Sequence, residues 1–309
     1  MPVPAWRVDN PAIGSVSNPE GPGVEIAHCF VAGAGLMGHG IAQVLASAGR
    51  TVDLYEPDLA RAEAGKARIA ATLERAVARG RLDATVRTIV LDRVATTDRL
   101  EGAAGADLVV EAVFEDEAVK RELWSQLDGI VRPGVLLASN TSSISIDRLA
   151  GALAEGRRPL FCGMHFFSPV PVMPLVELVR GSATGAEAEA TVRALAADLG
   201  KQVIVSADRP GFLVNRILIP LLGEAMRTLG EGTGTAADID TGAKVGLNHP
   251  MGPLALSDFI GLDVILGIMR VLERDLEQPQ FAPPQVLVDL VAAGKLGQKT
   301  GEGFFTYRR

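Results

Sequence analysis

The residues with the clearest capacity for chemistry are a histidine and a glutamate in two apolar, strand-like segments. His165 lies near the end of Cys162–Phe167, and Glu177 lies inside Leu175–Val179. A carboxylate inside an apolar strand is costly to bury without a partner, and a histidine on the neighbouring strand is the natural one. The carboxylate orients the imidazole and stabilises its protonated form, which serves proton transfer. His165 alone also fits a core histidine with no chemical role; with Glu177, we predict a general acid/base dyad.

A glycine-rich sequence, Gly33-Ala34-Gly35-Leu36-Met37-Gly38, follows the first predicted strand. The first glycine permits a tight turn, the second lets the backbone approach a pyrophosphate, and the third lets the following helix pack closely. The start of that helix offers free N–H groups to the anion. Glu56 ends the second predicted strand, where a carboxylate accepts hydrogen bonds from ribose hydroxyls and repels the extra phosphate of NADP. We therefore predict an NAD site; the alternative is a glycine-rich turn that binds nothing.

A third polar cluster, Ser139-Asn140-Thr141-Ser142-Ser143, closes another predicted strand. Ligands of parallel α/β sheets bind outside the carboxyl ends of the strands, so these side chains would face the nicotinamide and the substrate. A helix N-cap after Asn140 explains the same residues equally well. The spacing leaves both interpretations open.

Alternating short apolar runs and longer helical patterns supply the scaffold for these residues. Strands are predicted at Ile26–Ala32, Thr51–Tyr55, Asp107–Val113, Gly134–Ser139, Cys162–Phe167, Leu175–Val179 and Gln202–Val205. Helices are predicted between several of them, at Leu36–Ala48, Pro57–Arg79, Glu117–Leu127 and Ala186–Leu199. This alternation predicts an α/β, Rossmann-type doubly wound domain with a parallel sheet covered on both faces.

The strand pattern stops after Ser206, and helical patterns follow at Gly211–Gly230, Ala236–Val245, Leu262–Leu276 and Gln285–Ala293. The turn at residues 207–211 contains adjacent Pro and Gly and is a natural boundary. We therefore predict a flexible arm at residues 1–25, a nucleotide-binding domain at 26–206 and an all-helical domain at 207–309.

Composition excludes several other classes of protein. Among 309 residues there are two cysteines and four scattered histidines, which argues against a disulfide framework and a metal site. A net charge of −7 makes nucleic acid an unsuitable partner. The longest uncharged stretch, Pro159–Val176, contains four prolines, and residues 1–25 lack the apolar run of a secretory signal. We expect no membrane span and a cytoplasmic location.

Seven motifs in order make the chain resemble the L-3-hydroxyacyl-CoA dehydrogenase family, which includes 3-hydroxybutyryl-CoA dehydrogenases. They are Gly33–Gly38, Asp107–Lys120 (DLVVEAVFEDEAVK), Ser139–Ser143 (SNTSS), Gly163–Val179 (GMHFFSPVPVMPLVELV), Arg209–Arg216 (RPGFLVNR), Pro250–Leu256 (PMGPLAL) and Leu296–Phe305 (LGQKTGEGFF). The resemblance implies NAD-dependent oxidation of (S)-3-hydroxyacyl thioesters to 3-ketoacyl thioesters, and the reverse reduction. It further implies a place in fatty acid metabolism and a homodimer formed through the C-terminal helices.

The resemblance also implies roles for individual residues. His165 matches the general acid/base, Glu177 its carboxylate partner, and Ser142 and Asn215 the polar groups at the substrate oxygen. Residues that match cofactor contacts are Glu56, Glu115, Lys120, Asn140, Ser168 and Lys299. Thr72 and Arg79 match positions that hold the CoA moiety.

Two positions depart from the family pattern. Ser168 stands where Asn is usual, and Pro174 stands where many members have Lys. The shorter side chain at 168 would loosen the nicotinamide or change which acyl group fits. An acyl group carried by a carrier protein, or another 3-hydroxy acid, remains an alternative to a CoA thioester, and a non-catalytic NAD-binding structural protein is an alternative of another class.

Overall fold

The computed structural model describes residues 26–307, so the predicted arm at residues 1–25 lies outside the described residues. Eight strands in this range form one sheet. They are β1 (His28–Ala32), β2 (Thr51–Tyr55), β3 (Val94–Thr97), β4 (Leu108–Glu111), β5 (Leu136–Ser139), β6 (Phe161–Phe166), β7 (Leu175–Arg180) and β8 (Gln202–Ala207).

The same part of the chain contains eleven α-helices. They are α1 (Leu36–Ser47), α2 (Leu59–Ala78), α3 (Ala84–Asp92), α4 (Glu117–Ile130), α5 (Ile146–Ala150), α6 (Ala186–Asp198), α7 (Val214–Gly230), α8 (Ala236–Thr241), α9 (Pro253–Ile260), α10 (Leu262–Leu276) and α11 (Gln285–Ala292). None of the helices between residues 26 and 307 combines the length and apolar character that a membrane span needs.

The strand order is β3-β2-β1-β4-β5-β6-β7-β8, and every neighbouring pair except β6 and β7 is parallel. This order confirms the predicted Rossmann-type α/β class. The prediction of a wholly parallel sheet was wrong at one place, where β6 and β7 run antiparallel. Only residues 167–174 connect these two strands, too short a segment for the helical crossover that parallel strands require.

Apolar side chains alternate between the two faces of the sheet, so each face has its own core. On β1, Val31 packs into the core beneath α1, α2, α3 and α6, whereas Phe30 packs into the core beneath α4 and α5. A third buried cluster joins α7, α9, α10 and α11, with Leu222, Ile265 and Met269 at its centre. The predicted boundary after Ser206 falls one residue before the end of β8.

Several short elements were not predicted. Strand β3 is a four-residue edge strand in which only Val94 is buried, and α3 buries only Val90, so neither has a strong apolar pattern. Helices α5 and α9 were missed as well. The boundaries of the predicted elements mostly shift by one to three residues, as at α7, which begins at Val214 rather than Gly211.

Candidate functional site

The phosphate loop lies between β1 and α1 at the carboxyl edge of the sheet. Gly33 has φ +105°, and a Cβ there would meet the carbonyl oxygen of Ala112 at 2.4 Å. A Cβ at Gly38 would meet the Gly33 oxygen at 1.7 Å. At Gly35, which caps α1 without a side-chain hydrogen bond, a Cβ would have nothing within 4 Å. The loop is therefore closed on the protein side and open at Gly35, a cradle that fits a pyrophosphate.

Glu56 lies beside this loop, at the end of β2. Its Oε1 accepts a hydrogen bond of 3.1 Å from the backbone N–H of Ala34. Glu56 also lines a cleft of about 400 Å³ together with Ala34, Gly35, Leu36, His39, Arg61, Ala64 and Arg68. The carboxylate thus stands where the sequence places a ribose contact, next to the open side of the phosphate loop.

His165 and Glu177 face each other across the antiparallel pair of strands, in direct register. The distance between His165 Nδ1 and Glu177 Oε2 is 2.8 Å. An ionised carboxylate only accepts hydrogen bonds, which assigns the imidazole proton to Nδ1 and leaves the Nε2 lone pair available. The histidine is 6% exposed and the glutamate is fully buried, so the pair is largely shielded from water.

The second oxygen of Glu177 contacts the start of the helical region. Oε1 accepts hydrogen bonds from the backbone N–H groups of Leu213, at 2.7 Å, and Val214, at 3.2 Å. Both of these N–H groups lie at the beginning of α7, where a helix leaves donors without intrahelical partners. The carboxylate is consequently fixed by three donors and holds α7 against the sheet.

Two phenylalanine rings surround the imidazole. The ring centroid of His165 lies 4.4 Å from that of Phe167 and 5.9 Å from that of Phe212. Phe212 is buried in an unusual left-handed conformation, with φ +50°, two residues before the start of α7. These rings restrict the orientation of the imidazole and exclude water from its flanks.

Glu115 organises the loop that follows β5. Its Oε1 accepts hydrogen bonds from the Thr141 hydroxyl at 2.6 Å, from the Ser142 N–H at 2.8 Å, and from Ser143. Desolvation opposes the charged form, but the nearby Lys120 ammonium and these hydrogen bonds outweigh it and hold the pKa of the Glu115 carboxyl below its usual range. Glu115 therefore fixes the shape of the serine-rich loop as a carboxylate.

Lys120 is buried between two carboxylates. Its Nζ lies 2.5 Å from Glu111 Oε1 and 3.2 Å from Glu115 Oε2, and its side chain is 1% exposed. Glu111 also accepts hydrogen bonds from the Ser139 hydroxyl at 2.6 Å and the Val113 N–H at 2.9 Å. A buried charge needs such partners, and here they connect the ends of β4 and β5.

The remaining polar residues of the loop make contacts within the protein. Asn140 Oδ1 accepts a hydrogen bond of 2.9 Å from the N–H of Phe166, next to His165. Asn215 is buried at the start of α7, and its Nδ2 donates to the Ser142 carbonyl oxygen at 3.2 Å. This bond brings together Ser142, in the loop after β5, and Asn215, in the helical region.

The remaining predicted site residues belong neither to the dyad nor to the serine-rich loop. Ser168 is exposed in the turn after β6, and Lys299 is exposed near the chain end, where its ammonium pairs with Asp263. Thr72 lies on α2 and donates to the Arg68 carbonyl oxygen, and Arg79 is exposed at the C-cap of the same helix. Within residues 26–307, none of these four side chains hydrogen-bonds to His165 or Glu177.

Two positioning residues were not predicted from the sequence. Glu111 is an acidic residue in an otherwise apolar strand, the same signal that singled out Glu177, and could have been found in the same way. Lys201 is buried at the start of β8, and its Nζ donates to the carbonyl oxygens of Val170 and Met173, both at 2.7 Å. A lysine after a helix-ending glycine usually lies at the surface, so its sequence carries no signal of this role.

Comparison with known proteins assigns both halves of the chain to one family. Residues 28–209 match the NAD binding domain of 3-hydroxyacyl-CoA dehydrogenase, and residues 211–307 match the C-terminal domain of 3-hydroxyacyl-CoA dehydrogenase. A 3-hydroxybutyryl-CoA dehydrogenase of Bradyrhizobium diazoefficiens is 46% identical over 278 residues, which cover 90% of this chain and 94% of the relative.

Solved structures agree with this assignment. FadB2 of Mycobacterium tuberculosis has a TM-score of 0.90 and 44% identity, covering 92% of this chain and all of that one. The (S)-3-hydroxybutyryl-CoA dehydrogenase PaaH1 of Ralstonia eutropha has a TM-score of 0.87 and 42% identity over the same shares.

Two glycine substitutions separate the folding role of the phosphate loop from its binding role. Gly35→Ala adds a Cβ that meets no protein atom, so we expect an unchanged melting temperature and NADH binding weakened about tenfold or more, because the Cβ enters the space of the pyrophosphate. Gly38→Ala forces its Cβ against the Gly33 carbonyl, so we expect the melting temperature to fall by about 4 °C or more. Thermal melts and NADH fluorescence titrations measure both, and tight NADH binding by Gly35→Ala would contradict the predicted cradle.

Proposed function

The chain belongs to the 3-hydroxyacyl-CoA dehydrogenase family, and on that premise we propose that it oxidises (S)-3-hydroxyacyl-CoA to 3-ketoacyl-CoA with NAD, and catalyses the reverse reduction. The observation that carries this function is the buried pair of His165 and Glu177, 2.8 Å apart, at the same edge of the sheet as the phosphate loop. Short-chain 3-hydroxybutyryl-CoA is the first substrate to test, since it is the substrate in the name of the Bradyrhizobium relative.

When bound, NAD supplies the acceptor for the hydride that leaves the hydroxyl-bearing carbon. The loop Gly33–Gly38 would hold the pyrophosphate, and Glu56 the adenosine ribose. Family positions assign further cofactor contacts to Glu115, Lys120, Asn140, Ser168 and Lys299. Of these, Glu115 and Lys120 act through the network that fixes the serine-rich loop.

His165 takes the hydroxyl proton at Nε2. Its Nδ1–H donates to Glu177, so the imidazole has the tautomer that a general base requires. As the imidazole gains a proton, the adjacent carboxylate stabilises the positive charge. Because three donors already hold Glu177, the carboxylate does not have to reorganise during the transfer. In the reverse direction the imidazolium returns its proton to the carbonyl oxygen.

Ser142 and Asn215 would stabilise negative charge on the reacting oxygen. The hydrogen bond from Asn215 Nδ2 to the Ser142 carbonyl oxygen places the amide beside the serine-rich loop. In the structure the Ser142 hydroxyl donates to Glu115 at 3.2 Å and Asn215 uses one N–H on the Ser142 carbonyl, so this role requires the hydroxyl and the second amide N–H to turn toward the substrate oxygen.

The acyl carrier is CoA in this proposal, with Thr72 and Arg79 on α2 as its contacts. Arg79 is exposed and free of the ion pairs found elsewhere in residues 26–307, so its guanidinium is open to a phosphate group. A carrier-protein thioester remains the alternative.

We also propose a cytoplasmic homodimer formed through the helical region, with a role in fatty acid metabolism. The helical region exposes large apolar side chains, among them Ile217 at 70%, Val245 at 80% and Leu247 at 69%. A dimer that covers these side chains would remove their apolar surface from water, which favours association.

Substitutions in the dyad test the proton transfer. His165→Gln should lower kcat about 10²–10⁴-fold with little change in NADH binding, the usual loss for a general acid/base. In Glu177→Gln, the amide oxygen accepts from the N–H groups of α7, so the amide NH₂ faces His165 Nδ1. This NH₂ is a donor and favours the imidazole tautomer with its proton on Nε2, which then cannot take up the substrate proton. The double variant should lose little more than either single variant, because the residues act as one unit. Losses in kcat that multiply fully would contradict the dyad.

Substrate handles test the choice of acyl carrier, with NADH absorbance as the assay. Acetoacetyl-CoA should be reduced with a lower KM than its N-acetylcysteamine thioester, which lacks phosphates. Arg79→Glu should raise KM severalfold for the CoA ester only, by loss of a charge-assisted contact and by repulsion. An equal rise for both esters would favour the carrier-protein alternative. Failure of every 3-ketoacyl substrate to oxidise NADH would overturn the enzymatic function.

A charged residue in the proposed interface tests the dimer. Ile217→Asp on α7 should reduce the mass measured by light scattering from two chains to one, because a carboxylate cannot be buried there unpaired. Val86→Asp on α3 is the matched control: Val86 is also exposed, at 43%, but lies on the sheet domain, and this variant should stay dimeric. A dimer of unchanged stability with Ile217→Asp would exclude this helix from the interface.

A further inference from the structure

The cleft beside Glu56 contains two guanidinium groups that the reaction proposed above does not use. Arg61 and Arg68 line it together with Ala64, at positions i, i+7 and i+3 of α2, which form one face of a helix. Glu56 is the one carboxylate among the residues that line this cleft. The cleft therefore combines a single negative charge with two permanent positive charges.

Glu56 and Arg68 both hydrogen-bond to the backbone of Ala34 in the phosphate loop. Glu56 Oε1 accepts from the N–H of Ala34 at 3.1 Å, and Arg68 Nη1 donates to the Ala34 carbonyl oxygen at 3.3 Å. The helix comes this close because Gly65 faces the loop, where a Cβ would lie 2.7 Å from the Ala34 Cβ. The guanidinium of Arg68 is thereby anchored at the edge of the cleft.

Arg61 is less firmly held than Arg68. Its Nη2 lies 3.9 Å from Glu56 Oε1, at the outer limit of an ion pair, and its side chain is 72% exposed whereas that of Glu56 is 12% exposed. A guanidinium in this position is not locked onto Glu56 and can turn toward a second anion. Arginine is also the side chain best suited to grip a phosphate in bidentate fashion.

We propose that Arg61 and Arg68 form a phosphate site next to Glu56, so that the chain accepts the 2′-phosphate of NADP and uses NADP as a second, weaker cofactor. The charge of Glu56 repels this phosphate and keeps NAD preferred, while the two arginines offset part of the repulsion. The inference rests on the proposed function, which places the adenosine ribose at Glu56.

Two nucleotides that differ only in the phosphate at issue test the site without turnover. Isothermal titration calorimetry measures the affinity for 2′,5′-ADP divided by the affinity for 5′-AMP. The proteins compared are the native chain and Glu56→Gln, each also with Arg61→Met or Arg68→Met. Methionine keeps an apolar stem of similar length and removes the charge. Arg81→Met, in the turn after α2 and outside the lining of the cleft, is the matched control for net charge.

Glu56→Gln should raise the ratio at least about tenfold in favour of 2′,5′-ADP, because it removes a repulsive charge and keeps the polar side chain. Each arginine substitution should lower the ratio about fivefold in either background, the scale of one partly exposed charge pair. The ratio of kcat/KM for NADP to that for NAD should follow the same order. Arg81→Met should leave both ratios unchanged.

The outcomes separate the two proposals. If 5′-AMP and NADH bind but the ratio does not respond to Arg61→Met and Arg68→Met, the phosphate site is wrong and the dehydrogenase function stands. If Arg81→Met lowers the ratio as much as the cleft substitutions, net charge explains the effect and the site is also wrong. If neither 5′-AMP nor NADH binds the native protein, the assignment of the cleft to adenosine fails, and the proposed function fails with it.

Discussion

The site depends on one constraint, the burial of the Glu177 carboxylate in an apolar sheet. A buried charge is stable only when each of its oxygens has donors, and the chain supplies three from two different elements. His165 on β6 donates to one oxygen, and the first N–H groups of α7 donate to the other. The anion that orients the imidazole therefore also sets how the helical region meets the sheet. This explains why α7 begins at Val214 and why Asn215, one residue later, reaches the serine-rich loop.

A second buried carboxylate, at the end of β4, is stabilised in the same way. Glu111 ends β4 fully buried, and Lys120 and Ser139 satisfy it, with Lys120 also contacting Glu115. Glu115 in turn collects the donors of the loop after β5, where Ser142 lies. The polar groups of the serine-rich loop are thus held in place by the buried charges of Glu111 and Lys120. A rigid shell of this kind is what positions reacting groups within the tolerance that catalysis requires.

The sequence was sufficient to predict the features that depend on residue type and local pattern. An acidic residue in an apolar strand predicted the partner of His165, and short apolar runs predicted seven of the eight strands. Features that depend on how distant segments approach each other were not predictable. The role of Asn140 is an example, because its side chain bonds the N–H of Phe166 across neighbouring strands. The arginines of α2 are another, since only the close approach of Gly65 to the phosphate loop turns a solvated helix face into the wall of a cleft.

The turn between β6 and β7 contains both departures from the family pattern, Ser168 and Pro174. Lys201 donates to the carbonyl oxygens of Val170 and Met173. The N–H of Gln202 donates to the carbonyl oxygen of Pro174 at 2.7 Å. These bonds use backbone acceptors and involve neither the Ser168 side chain nor the Pro174 ring. Val170 also packs beneath α1, where a Cβ at Gly40 would lie 2.9 Å from the valine Cβ. The frame around His165 is therefore held by contacts in which the Ser168 side chain takes no part.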